Sequence, residues 1–313
     1  PGGLAYLCLS CQRRRCSGGG ALSGELSALI SALLWAMASV LMTVGARRIH
    51  VVPLNLIRCT VSAALFLALL PLFGGLEALA AIPPGAWPWL VVSVLGLLVM
   101  GDTLYFRSMD LAGVSWAMPV ASINTLWAVF LASFFVGEPL TWSLLLGALL
   151  VIVGIVLVSR SASPESARPA DPRARRKGLL LALLVSVLWA VGLVALKPAT
   201  AGIHAVVANS VRQPMAMVMM LGLTILQGRW RELKGLDRKS WAVIIVASFV
   251  GTGMGTLFFV LAIQLAGAGR TAVLTSTSPL LAMPFSMLWL RERPTRWTLA
   301  GTLLTTAGIA LVA

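Results

Sequence analysis

Apolar runs of about twenty residues recur from one end of the chain to the other, and they limit what it can fold into. In lipid no water satisfies backbone N–H and C=O groups, so a run of that length must bond internally as a helix. Runs bounded by Gly, Pro or charge number ten, at about 26–46, 53–73, 87–107, 113–136, 140–159, 178–198, 204–227, 240–264, 271–290 and 297–313. Of the 313 residues, 59% are apolar and 11% charged, and the mean hydropathy is +0.94. A soluble domain carries about a quarter charged residues. A water-soluble enzyme, a disordered chain, a collagen and a disulfide scaffold are thereby excluded. The expected fold is an all-α polytopic membrane protein of ten transmembrane helices, with the lipid bilayer as its solvent.

One offset of 154 residues relates the two halves. It carries Leu34-Trp35-Ala36 onto Leu188-Trp189-Ala190, Asn55 onto Asn209, Arg58 onto Arg212, Gly101 onto Gly255, and Leu111-Ala112-Gly113 onto Leu265-Ala266-Gly267. Ser122 falls on Ser276, Glu138 on Glu292, Gly147 on Gly301 and Gly154 on Gly308. Each half holds five spans, and an odd number makes the second copy enter from the opposite side, so two inverted five-helix repeats are expected. The repeats occupy 25–159 and 178–313. Between them, 160–177 is rich in Pro and Arg and reads as a polar linker, and 1–24 reads as a disordered leader.

The net charge of +14 comes from Lys and Arg scattered between apolar runs, with no basic face interleaved with aromatics, so nucleic acid is not an expected partner. Loops after odd-numbered spans hold 17 of these residues and the opposite loops 5. The positive-inside rule then places the odd loops in the cytoplasm and both termini outside. Cys8 and Cys11 have a metal-like spacing but no second pair or histidine at a ligand distance, so no metal or cofactor is expected.

Three ionisable residues lie well inside spans: Arg58, Asp102 and Arg212. Such residues are costly in lipid and mark function by default. Counted from the span ends, Arg58 and Asp102 lie about 7–8 Å below one face, so they can pair, as a register-fixing ion pair, a gate or a protonatable carboxylate that couples transport to protons. Arg212 has Thr256 where the first half has Asp102, which leaves it a substrate carboxylate or phosphate, or backbone carbonyls of a helix kinked near Pro214. Asn55 and Asn209 precede the arginines by three positions and share their helix faces, to bond substrate or neighbouring helices. Trp35 and Trp189 sit mid-span, as packing or as cavity walls. Spans 4 and 9 look broken: Pro119 is followed by Ser122, Asn124 and Thr125, and Thr275-Ser276-Thr277-Ser278 by Pro279. Interrupted polar stretches at matching places in two halves point to a midplane site. The Gly147/Gly154 and Gly301/Gly308 stripes suit close helix packing, between the halves or in a homodimer. Glu138 and Glu292 stand just before helix starts, where a carboxylate favours the dipole.

Taken in order, these motifs resemble the EamA family of the drug/metabolite transporter superfamily. The likeness rests on the duplicated Leu-Trp-Ala and Asn-x-x-Arg, Gly-Asp-Thr-Leu-Tyr-Phe-Arg at 101–107, the Leu-Ala-Gly turns, and the hinges Glu-Pro-Leu-Thr (138–141) and Glu-Arg-Pro-Thr (292–295). The resemblance implies a ten-helix carrier in a bacterial or archaeal cell membrane with a central cavity, often exporting amino acids or other small metabolites. It also implies both termini in the cytoplasm, opposite to the charge count. No phosphate loop, zinc-protease or serine-hydrolase motif occurs, so ATP drive and catalysis are not expected. The combined reading is a secondary transporter working by alternating access, an exporter rather than an importer. Its small-molecule substrate would meet Trp35, Asn55, Arg58, Asp102, Ser122, Asn124, Trp189, Asn209, Arg212, Ser276 and Ser278. The alternative is a non-transporting membrane scaffold or partner subunit.

Overall fold

The computed structural model describes residues 19–45, 49–159, 171–278, 280–282 and 296–312, and among them there is helix and no strand. Helix α1 is Gly19–Gly45 and α2 is Val51–Leu69. After a short α3 (Gly75–Ala80), the third crossing is α4 (Ala86–Ser93), a wide-turned π segment (Val94–Val99) and α5 (Met100–Ala112). The fourth is α6 (Val114–Ala121), α7 (Asn124–Leu131) and a π segment (Ala132–Val136), followed by α8 (Trp142–Ser159). The second half holds α9 (Pro172–Ala199) and α10 (Ala205–Leu226). Next come α11 (Arg238–Ser248), a π segment (Phe249–Gly255), α12 (Thr256–Ala266), α13 (Ala268–Thr275) and α14 (Arg296–Val312).

Local chemistry fixes these ends. His50 and His204, one offset apart, cap α2 and α10: each Nδ1 accepts the N–H two residues on, at 3.3 Å from Val52 and 3.2 Å from Val206. Gly113 and Gly267 end α5 and α12 with φ of 83° and 92°, a conformation glycine adopts without a Cβ penalty. Asp171 caps α9 through Arg173 N–H, with Pro172 at the first helical position. The stretch 172–177, expected to be linker, therefore opens the helix, and 19–24, expected to be leader, opens α1. Residues 1–18 and 160–170, the rest of those two segments, lie outside the described residues, as does Glu292.

Among the described residues, seven helical segments are long and apolar enough to cross a membrane: Ser23–Met42, Val51–Phe73, Ala86–Ala112, Trp116–Val136, Trp142–Ser159, Pro172–Ala199 and Arg238–Ala266. They coincide with expected spans 1–6 and 8. At 22 residues α10 has the length, but Asn209, Arg212 and Gln213 lower its apolarity. The third crossing continues past Arg107 to Ala112, so Asp102 lies deeper along its helix than the sequence suggested.

The halves interlock by matched contacts. α1 packs on the eighth crossing (α11–α12) and α9 on the third; α2 packs on α10, and α8 on α14. A Cβ on Gly154 would meet Gly301 O at 2.7 Å, and one on Gly308 would meet Gly147 O at 2.8 Å. The two glycine stripes therefore meet each other within one chain, and the backbones touch because there is no side chain between them.

Candidate functional site

Each mid-span tryptophan reaches across to the other half. The Trp35 indole N–H donates to Gly251 O (3.1 Å), and its ring lies 5.0 Å from that of Phe259. One offset away, the Trp189 ring lies 4.7 Å from that of Tyr105. A Cβ on Gly255 would stand 2.8 Å from Trp35 Cδ1, and one on Gly101 about as close to Trp189, so these glycines create the space the indoles fill. The π segments expose backbone carbonyls that an ordinary turn would bond, and neighbouring helices use them, across the halves from Ser62 and Ser31 and within the first half from Asn55. Ser62 Oγ donates to Thr252 O (2.9 Å), Ser31 Oγ to Gly255 O (2.9 Å) and Asn55 Nδ2 to Leu98 O (2.8 Å).

Between the halves lies a cavity of about 400 Å³, lined from α1, α2, the segments 94–105 and 118–124, α9, α10, the segment 247–259 and residues 275–278. Trp35, Arg58, Asp102, Ser122, Asn124, Trp189, Arg212, Ser276 and Ser278 all line it. Asn55 and Asn209 do not. They are 2% and 0% exposed and stand behind the arginines, with Asn55 Oδ1 accepting from Arg58 Nη1 (3.2 Å) and Asn209 Oδ1 from Arg212 Nη1 (2.9 Å). Of the two contacts expected of them, substrate or neighbouring helices, the structure shows the bond to the arginine on the same helix face, and Asn55 also donates to Leu98 O. Spans 4 and 9 are broken as their sequence suggested, at matched residues: α6 gives way at Ser122 and α13 at Ser276. The two breaks touch, since Thr125 Oγ1 and Ser276 Oγ are 2.7 Å apart. The serine hydroxyl protons are used locally, Ser122 donating to Met118 O and Ser276 to Ala272 O, which leaves oxygen lone pairs as acceptors toward the cavity.

The charges divide unevenly. Arg58 Nη1 lies 3.2 Å from Asp102 Oδ2, so the pair suggested by helix depth is formed, and Arg58 Nε also donates to Thr252 Oγ1 (3.2 Å). Arg212 is 1% exposed, and its Nε donates to Ser93 Oγ (3.0 Å). Among the described residues it makes no ion pair. Asn209 Nδ2 and both amide atoms of Gln213, on the same turn, are buried without a partner.

At the end of the bundle where α9 finishes and α13 begins, Glu138 joins the halves. Its carboxylate accepts Ala268 N–H (2.7 Å) and Gly269 N–H (2.9 Å), and Lys197 Nζ lies 3.9 Å from it. The helix start it favours is thus α13, not its own neighbour α8. Beside it, Arg270 pairs with Glu25 (3.0 Å). Sequence reasoning missed Ser93, Thr252, Gln213 and the Glu138 contact. Tyr105 and Phe259 were within reach, as an aromatic pair one offset apart.

The profile of the EamA-like transporter family matches residues 22–160 and again 176–313. A protein of Archaeoglobus fulgidus named an uncharacterized transporter is 24% identical over 223 residues, 71% of this chain and 74% of its own. A probable 4-amino-4-deoxy-L-arabinose-phosphoundecaprenol flippase subunit ArnE of Pseudomonas aeruginosa is 34% identical over 76 residues, which are 24% of this chain and 64% of that one. A crystal structure of a protein 20% identical shares the fold with a TM-score of 0.78, over 93% of this chain and 96% of that one. With its apolar helices and a family profile across both halves, this is a multi-pass cell-membrane protein. The chain belongs to the EamA-like transporter family.

Proposed function

We propose that the chain is a secondary transporter that exports small metabolites such as amino acids by alternating access, with ten transmembrane helices in two inverted five-helix repeats (25–159 and 178–313) on either side of a polar linker. The observation that carries this reading is the cavity where the two helix breaks meet, lined by equivalent crossings of both halves. Equivalent residues making equivalent contacts across the join favour a pseudo-two-fold arrangement, and five crossings per half make it an inverted one. Glu138, Lys197 and the Arg270–Glu25 pair tie the halves together at one end of the bundle. On α1 the lining residues, 35 to 42, lie toward the opposite end, as expected of a carrier closed on one face. Breaking the Glu138 contact and closing the far end would exchange the faces. Trp35 and Trp189 would wall the substrate, Ser122, Asn124, Ser276 and Ser278 would bond it, and Arg58–Asp102 is the candidate for proton coupling. By charge, loops after odd crossings face the cytoplasm.

Counterflow of radiolabelled amino acids and organic acids in proteoliposomes, with and without a pH gradient, tests the reading. Saturable flux is expected, and Ser276→Trp should block it by filling the cavity. Flux equal to empty liposomes with every solute would leave the scaffold alternative standing.

A further inference from the structure

Three charged side chains line the cavity: Arg58, Asp102 and Arg212. Two of them cancel in the Arg58–Asp102 pair. Among the described residues the guanidinium of Arg212 is held by neutral oxygens alone, Ser93 Oγ and Asn209 Oδ1. The position one offset from Asp102 is Thr256, which also lines the cavity and supplies no charge. A buried cation without a counter-ion retains a strong, poorly screened attraction for an anion. Behind it, off the cavity wall, Asn209 Nδ2 and the Gln213 amide are buried without a partner among the described residues, so none of them brings Arg212 a negative charge. An uncompensated guanidinium in the cavity wall is what a carboxylate or phosphate group requires. The remaining wall is aromatic, from Trp35, Tyr105, Trp189 and Phe259.

We propose that the cavity selects small organic monoanions, with the anionic head at Arg212 and an apolar or aromatic body against the indoles. The proposal rests on the carrier reading for the cavity's being a substrate site, and within that reading it puts solutes of net negative charge in place of zwitterionic amino acids. A zwitterion whose amine needed Asp102 would have to displace Arg58 first.

Benzoate, benzamide, benzylamine and phenylalanine share a body and differ in charge. Their equilibrium binding to the full chain in phosphatidylcholine nanodiscs tests the proposal. Benzoate should bind at least tenfold more tightly than the other three. The preference should vanish in Arg212→Gln and in Thr256→Asp, which gives Arg212 an acid, while the neutral, equally bulky Thr256→Asn keeps at least half of it. Exposed Arg231→Gln should keep all of it. Asp102→Asn, which frees Arg58, should tighten benzoate and would weaken a zwitterion that used the acid. Melting temperature and a monodisperse elution profile identify a variant that has merely unfolded. Stronger binding of benzylamine or phenylalanine, benzoate affinity indifferent to Arg212→Gln, or binding of none of the four overturns the proposal. Competition by added phosphatidylglycerol would support the anion chemistry and assign the head to a lipid; its absence would assign it to a soluble anion. Selective benzoate binding without benzoate counterflow would defeat the carrier reading alone. Counterflow of amines without benzoate binding would defeat the charge assignment alone.

Discussion

The second and third crossings of the first half place Arg58 beside Asp102; their counterparts in the second half give Arg212 no ion pair among the described residues. The scaffolding around the two sites is nearly the same. Each arginine is held by the asparagine three residues before it, each helix is capped by a histidine, and each tryptophan fills the space above a glycine of the opposite half. Duplication therefore accounts for the shared scaffolding, and at these two sites the halves differ by one acid, Asp102 against Thr256. What the two halves share keeps the bundle together, and where they differ marks the chemistry.

Breaking the asymmetry should have the largest effect. Thr256→Asp should lower flux about 10–100-fold, the worth of a hydrogen bond to a charged group, and adding Asp102→Thr, which frees Arg58 instead, should restore part of it in the counterflow assay. The shared elements should respond alike in both halves. Gly101→Leu and Gly255→Leu should each destabilise by about 1–3 kcal/mol, read as a lower melting temperature in detergent, whereas Gly222→Ala, with open space around it, should change little. Glu138→Gln removes the charge that holds α13 and should cost about 1 kcal/mol, with faster thiol labelling of a cysteine placed at Gly202.

The smallest effect is a pH dependence. Burial holds the His204 imidazole below its ordinary pKa, and its neutral Nδ1 is the cap acceptor for α10. The unfolded chain then takes up the proton first, so this stabilisation is full above about pH 6.5 and is lost as pH falls through the folded value. His204→Asn keeps a cap without a titrating group and should flatten the dependence of melting temperature on pH. His50, also lowered by burial and by Arg229, should behave the same way.

Much of the bundle was legible because periodicity and duplication are written along the chain. The offset placed Ser122 and Ser276 at matching breaks, and helix depth brought Arg58 to Asp102. The end of the third crossing was misplaced because Arg107 looks like a boundary, whereas the chain continues to Gly113, whose positive φ ends the helix. Shared face placed each asparagine beside its arginine but could not say which of the two faces the cavity. Ser93 with Arg212 and Glu138 with Ala268 join residues more than a hundred positions apart and obey no offset, so only packing reveals them.

The central claim is that one cavity serves both sides of the membrane in turn. A single cysteine at Ser276, with the native cysteines replaced by alanine, can be titrated with an impermeant thiol reagent in right-side-out and inside-out vesicles. The carrier account requires labelling from either face, slowed on both by transported substrate. Labelling from one face only, unchanged by any solute that binds, would contradict it.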